Sequence, residues 1–198
     1  NPTSISTATA CNLCVFTDGS TKTFYNSTDG KIIATIQDDA TVTPDQLDET
    51  EICVRFDGSV QTVLDNLGNI QPYLQRQWTI HPAAGTRAKV TLYFTNAELT
   101  ALQSAANPGR YQFSGYSTLG ITKYSGGQQG TFIAPASAGG VSFPAVFSAY
   151  GSDHKVEFTI DSFSTFYLHP QLFPVAALPV ELVAFTGWND GNVNQLQW

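Results

Sequence analysis

Between residues 11 and 168, apolar and polar residues alternate one by one in short stretches, and Gly, Pro, Asn or Asp separates each stretch from the next. A period of two sends successive side chains to opposite faces of an extended chain, so this pattern commits the polypeptide to half-buried sheets. Residues 87–94 are the clearest case: Val90, Leu92 and Phe94 point one way, and Lys89, Thr91 and Tyr93 the other. Residues 51–57 set Ile52, Val54 and Phe56 against Glu51, Cys53 and Arg55, and residues 73–81 place Leu74, Arg76, Trp78 and Ile80 on one face. Further strands are predicted at 11–17, 21–25, 31–37, 120–124, 130–134, 141–149, 155–161 and 163–168. Asp18-Gly19 and Asp29-Gly30 predict hairpins, because glycine supplies the positive φ that tight turns need.

The period changes once. Thr95 followed by Glu98 is a capping box, and Leu99 and Leu102 stand three apart before Asn107-Pro108-Gly109. One short helix is therefore predicted. Strands at roughly 8–12-residue spacing define an all-β protein, an antiparallel β-sandwich of immunoglobulin-like or jelly-roll-like type with this one helix. Residues 1–10 read as an extended arm or linker, 11–169 as the sandwich, and 170–179 as a linker stiffened by Pro170, Pro174 and Pro179. Residues 180–198 read as a hairpin around Asn189-Asp190-Gly191. An isolated hairpin is marginal in water, so it either packs on the sandwich or opens a second immunoglobulin-like module.

Charge narrows the function classes. Of 198 residues, 16 are acidic and 9 basic, giving −7 overall, and the basic residues are scattered rather than clustered. Nucleic acid is thereby excluded as a partner. The longest apolar runs fall short of a membrane-spanning helix. The chain contains no methionine, so a processed product or fragment is expected, with any signal peptide removed. Cys11, Cys14 and Cys53 leave one thiol over after a single disulfide, and Cys53 is expected to join Cys11 or Cys14.

Candidate sites stand beside plainer readings. Asp38, Asp39, Asp45 and Asp48 offer oxygen ligands to calcium but lack a regular ligand spacing, and a solvated acidic loop is the better account. Ser152-Asp153-His154 contains triad residue types, yet triads assemble from separated segments, so no catalytic residue is assigned. His81 and His169 each precede a proline at a strand end and read as exposed. Tyr111, Tyr116, Tyr124 and Trp188 are candidates for a sugar-stacking surface, although most aromatic residues of a sandwich belong to its core or rim. Arg76, facing inward, requires a carboxylate partner and reads as half of an ion pair at the rim. Thr3, Ile5, Thr7 and Thr9 alternate with small residues, as a strand donated to a neighbouring copy would. No cofactor is expected.

Phe163 to Leu168, then Leu178-Pro179-Val180-Glu181-Leu182-Val183-Ala184-Phe185, then residues 192–198 resemble a junction near the end of many Bacteroidetes surface proteins. There a PVEL-x-x-F strand opens an immunoglobulin-like module that precedes a type IX secretion sorting domain. Residues 72–78, and 90–99 with their Val-Thr-Leu-Tyr-Phe-Thr run, are similar to the β module before that junction. The resemblance implies a secreted cell-surface module, the C-terminal part of a larger protein. Because the sequence has no Gly-x-Ser-x-Gly, His-Glu-x-x-His or Gly-rich phosphate loop, a non-enzymatic module of structural or adhesin type is expected. Its partners would be other surface-protein modules, identical subunits or extracellular glycans. Two other readings follow from the residues: a filament subunit joined by strand exchange through residues 1–10 or through the C-terminal hairpin, and a carbohydrate-binding module of a secreted hydrolase.

Overall fold

The computed structural model describes residues 4–39, 41, 46–64, 70–106, 111–125, 140–172, 186–189, 191 and 194–197. Two antiparallel sheets face each other, as the alternation requires. The first runs in the order β1 (Ala10–Val15), β4 (Glu49–Phe56), β7 (Arg76–Pro82), β14 (Thr165–Leu172), β10 (Leu119–Tyr124) and β11 (Gly140–Ser142), with β9 (Tyr111–Gln112) also paired to β14. The second runs β12 (Val146–Tyr150), β13 (Asp153–Ile160), β8 (Ala88–Phe94), β3 (Ile32–Asp38) and β2 (Thr21–Tyr25). Two hairpins stand apart from these ladders: β5 (Gln61–Leu64) with β6 (Ile70–Tyr73), and β15 (Thr186–Asn189) with β16 (Asn194–Gln197).

The core lies between the sheets and takes the residues that the pattern assigns to it. Val90, Leu92 and Phe94 of β8 meet Ile52 and Val54 of β4, Trp78 and Ile80 of β7, and Phe166 and Leu168 of β14 in one buried cluster. Helix α1 (Asn96–Ala105) follows β8 directly. Thr95 caps it, its hydroxyl accepting from the Glu98 N–H while the Glu98 carboxylate accepts from the Thr95 N–H, and Leu99 and Leu102 join the core. The Glu98 carboxylate also meets Arg76 at 2.5 Å, with both side chains essentially without exposure. This pair is buried, not at the rim as its sequence position suggests, because the helix folds back over the β6–β7 junction and carries the carboxylate inward.

Other departures have local causes. Asp18-Gly19 does not close a hairpin: β1 pairs with β4 and β2 with β3, so the turn is a corner that moves the chain between sheets. Gly19 there has φ of 69°, and its N–H is taken by Asp38 Oδ2 at 3.0 Å, which anchors the corner to the end of β3. Residues 141–149 form two strands in different sheets, β11 and β12, parted at Pro144, which has no N–H for a ladder. Residues 73–81 are likewise interrupted, at Leu74 and Gln75. The expected strand at 130–134 lies outside the described residues. Strand β14 continues through Pro170 to Leu172, so the start of the expected linker is sheet.

A bulge at Phe24/Tyr25 shifts the β2–β3 register so that Ile33 is skipped. Ile33 consequently enters the core, while Ile32 turns to the outer face and packs with Ile5 and Tyr93. The N-terminal arm covers that spot. Ser6 N–H donates to the Ile32 carbonyl, and Ile32 N–H donates to the Ser4 carbonyl, both at 3.0 Å.

Candidate functional site

The alternation on β14 and β10 sends Thr165, Tyr167, His169, Thr122 and Tyr124 away from the core, and a polar sequence there predicts a wet face. The structure buries all five. The β5–β6 hairpin lies over this part of the sheet, and Tyr73 of β6 packs edge-on to Tyr167, with ring centroids 5.5 Å apart. Tyr124 sits 6.1 Å from Tyr167. Burial pushes the phenol pKa values of Tyr124 and Tyr167 up to about 12. Beside these rings opens a cleft of about 310 Å³ between β6, β9, β10, β11 and β14.

Two glycines make the arrangement possible. Gly120 pairs with His169 across the ladder, and a Cβ at Gly120 would stand 2.9 Å from the imidazole Cε1. A Cβ at Gly140 would stand 2.5 Å from the Tyr124 ring. Thr122, one pleat beyond Gly120, places its hydroxyl 2.8 Å from His169 Nε2 and 2.7 Å from the Ser142 hydroxyl.

The direction of this chain of hydrogen bonds is fixed. Burial lowers the His169 pKa to about 4, against the smaller opposing effect of the Pro170 carbonyl, so the ring is neutral near pH 7 and carries one proton. The Pro170 carbonyl, 3.0 Å from Nδ1, can only accept, which places that proton on Nδ1. Nε2 must then accept from Thr122, whose oxygen in turn accepts from Ser142. Ser142, exposed at the cleft, thus turns its proton inward and offers lone pairs outward. His169 orients this array with both ring nitrogens engaged.

The sequence places His169 at an exposed strand end; instead it is buried inside β14, because the β5–β6 hairpin and Gly120 enclose it. Nothing in the pattern marks Thr122 or Ser142, but glycines facing a histidine and a tyrosine across a ladder are a usable signal once the register is known.

The other sequence candidates are scattered. Cys11 and Cys53 are direct partners in the β1–β4 ladder, with Cα atoms 4.0 Å apart, and form the disulfide; Cys14 is the free thiol. Burial pushes the Cys14 pKa up, against a smaller lowering effect of Lys22. Among the described residues, the one group of three metal-capable side chains is Cys11, Glu51 and Cys53, and both its sulfurs belong to the disulfide.

Asp38, Asp39 and Asp48 bind separate partners. Asp38 accepts from the Gly19 and Leu47 N–H groups. Asp39 accepts from Thr41, which holds its pKa low, and pairs with Arg87 at 2.9 Å. Asp48 accepts from Gln46. Asp45 and Thr3 lie outside the described residues, as do the PVEL junction at 178–185 and the side chain of Trp188.

Asp153 accepts from the Asn96 N–H at 2.9 Å, and His154 Nε2 lies 3.2 Å from Asn96 Oδ1, so both side chains hold the start of α1 while Ser152 occupies an exposed turn. Burial lowers the His154 pKa, against the opposing charge of Asp153. Of the aromatic candidates, Tyr111 borders the cleft and donates to the Ile70 carbonyl at 2.8 Å. Tyr124 is in the buried cluster, and Tyr116 stacks 4.6 Å from His154. In the arm, Ile5 is buried on its own chain, Thr7 is exposed, and Thr9 bonds the Phe56 backbone.

These features define a disulfide-linked antiparallel β-sandwich with a small neutral cleft on one outer face. Compared with family models, curated proteins and solved structures, the chain matches none. Among the described residues no helix is long and apolar enough to cross a membrane.

Proposed function

We propose that this chain is a non-enzymatic module of a secreted, cell-surface protein of the Bacteroidetes type, serving to space or present a binding region. The observation that carries this reading is the Cys11–Cys53 disulfide across the β1–β4 ladder, since such bonds persist in oxidising compartments and are rare in the cytosol. The use of carboxylates and histidines supports it. Asp38, Asp153, Glu98, His154 and His169 are each engaged in holding a turn, a helix start or a strand pair. Low charge density on a doubly hydrogen-bonded scaffold suits exposure to proteases.

The test is location. In the producing cell, labelling intact cells with a membrane-impermeant amine reagent should tag the protein, and mass spectrometry without reductant should find Cys11 joined to Cys53. A protein recovered from the cytosol with both thiols reduced would refute the reading.

A further inference from the structure

We propose that the cleft between the β5–β6 hairpin and strands β10, β11 and β14 binds a single uncharged, hydroxyl-rich ring, that is, one sugar residue. The proposal goes beyond the surface-module reading and does not depend on it, because the cleft would bind its ligand in any compartment.

Three properties of the lining select this class. First, its polar groups are uncharged and offer both senses of hydrogen bond. Ser142 has given its proton to Thr122 and presents lone pairs, while Gln171 spends one amide N–H on the Leu119 carbonyl at 2.9 Å and keeps its oxygen and a second N–H. A hydroxyl, which both donates and accepts, suits such a lining. Second, among the described residues the lining contains no carboxylate and no Lys or Arg, and its one titratable group with a basic nitrogen, His169, is buried. A cation or an anion would lose its hydration without gaining a counter-charge from them. Third, the walls are flat and apolar: Tyr111, Phe143, Pro72 and Pro170. Flat apolar walls with uncharged polar groups between them match a pyranose, which is apolar on its C–H faces and carries hydroxyls around its edge. The volume, about 310 Å³, is at the small end of ligand sites, with room for one ring and not for a chain. The array is also pre-set, since Ser142 is held through Thr122 by a neutral histidine whose proton the Pro170 carbonyl keeps on Nδ1.

The experiment is an NMR titration of the isotope-labelled 198-residue chain with methyl α-glucoside, methyl β-galactoside and N-acetylglucosamine. Glucuronate, glucosamine, sorbitol and a neutral tetrapeptide serve as comparisons. At least one neutral ring sugar should bind in the millimolar range, moving the amide signals of Gly120, Ser142 and Gln171. Ser142→Ala should weaken it about fivefold, the size of one neutral hydrogen bond, with the fold retained at a somewhat lower melting temperature because Thr122 loses a donor. Gln171→Ala should weaken it similarly, which guards against a local rearrangement in the first variant. The proposal is overturned if none of the neutral sugars moves those signals, or if both variants bind as the parent does. Tighter binding of glucuronate, glucosamine or the peptide, or equal binding of sorbitol, overturns it as well. Loss of sugar binding would leave the cell-surface test untouched, so the two readings fail separately.

Discussion

Replacing Glu98 with glutamine should be among the most destabilising conservative changes this chain can suffer. The carboxylate grips Arg76 twice, Nε to Oε1 and Nη2 to Oε2, both at 2.5 Å, with neither side chain exposed. Without that charge, the guanidinium retains the Tyr93 carbonyl at 3.1 Å and the faces of Phe56 and Trp78 at 5.6 and 5.7 Å. Those contacts do not neutralise a buried cation, and breaking such a pair from one side costs about 3–5 kcal/mol. Arg76→Met should cost less, about 2–3 kcal/mol. The stranded carboxylate keeps the Thr95 N–H and hydroxyl at 2.8 and 2.7 Å and sits at a helix N-terminus. Changing both, Arg76→Met with Glu98→Leu, removes both charges together and should leave a deficit of about 1–2 kcal/mol, mainly the lost half of the capping box. Urea unfolding followed by the fluorescence of buried Trp78 measures all four proteins. A Glu98→Gln cost under about 1 kcal/mol, or a double variant as unstable as the two single changes added, would refute the argument.

Three further outcomes are expected. His169 titrates at about 4 when folded and near 6.5 when unfolded, so between those values the unfolded chain binds more protons. Its contribution is complete above about pH 6.5 and is lost as pH falls toward 4, about 3 kcal/mol in all, and His169→Gln should flatten that part of a stability-against-pH curve. Reducing the disulfide, which spans 42 residues, should lower unfolding free energy by about 4 kcal/mol in the chain-entropy account; a denaturation midpoint indifferent to reductant would contradict this. Gly140→Ala pushes a methyl group into the Tyr124 ring and should cost about 1–3 kcal/mol by calorimetry, whereas Gly58→Ala meets no neighbouring atom and is strained through φ alone.

Much of the scaffold is legible because its code is local. Val90, Leu92 and Phe94 alternate with Lys89, Thr91 and Tyr93, and that fixes which face of β8 is core. Thr95 and Glu98 write the helix start in four residues, and the structure contains it as written. What fails is long-range. Asp18-Gly19 has the composition of a hairpin, but whether the next strand pairs with the last is decided by which sheet has room for it. Arg76 shows its need for a carboxylate in sequence, but the depth at which Glu98 meets it depends on the path of α1. The disulfide lies between these cases: three cysteines limit the choices, and the β1–β4 register, with Cys11 opposite Cys53, selects one.

The cleft belongs to the long-range class for a definite physical reason. A period of two separates core from non-core faces, but it does not distinguish a polar face in water from a polar face under a lid. On β14 the outward residues Thr165, Tyr167 and His169 read as a wet surface, and all three are buried: Tyr73 and Val63 of the β5–β6 hairpin pack with Tyr167, Gln71 and Pro72 stand beside His169, and Thr165 bonds Thr79 of β7. Burying polar groups requires partners, so the cover forces a hydrogen-bonded array into being, Ser142 to Thr122 to His169 to the Pro170 carbonyl. The array ends at the margin of the cover, where Ser142 is exposed, and there its last oxygen keeps lone pairs that the protein does not use. The proposed sugar site lies where this buried polar network reaches solvent, and the sequence trace it leaves is small: a glycine opposite two of the bulky outward side chains, Gly120 for His169 and Gly140 for Tyr124, while Tyr167 faces Thr122 and Gln77.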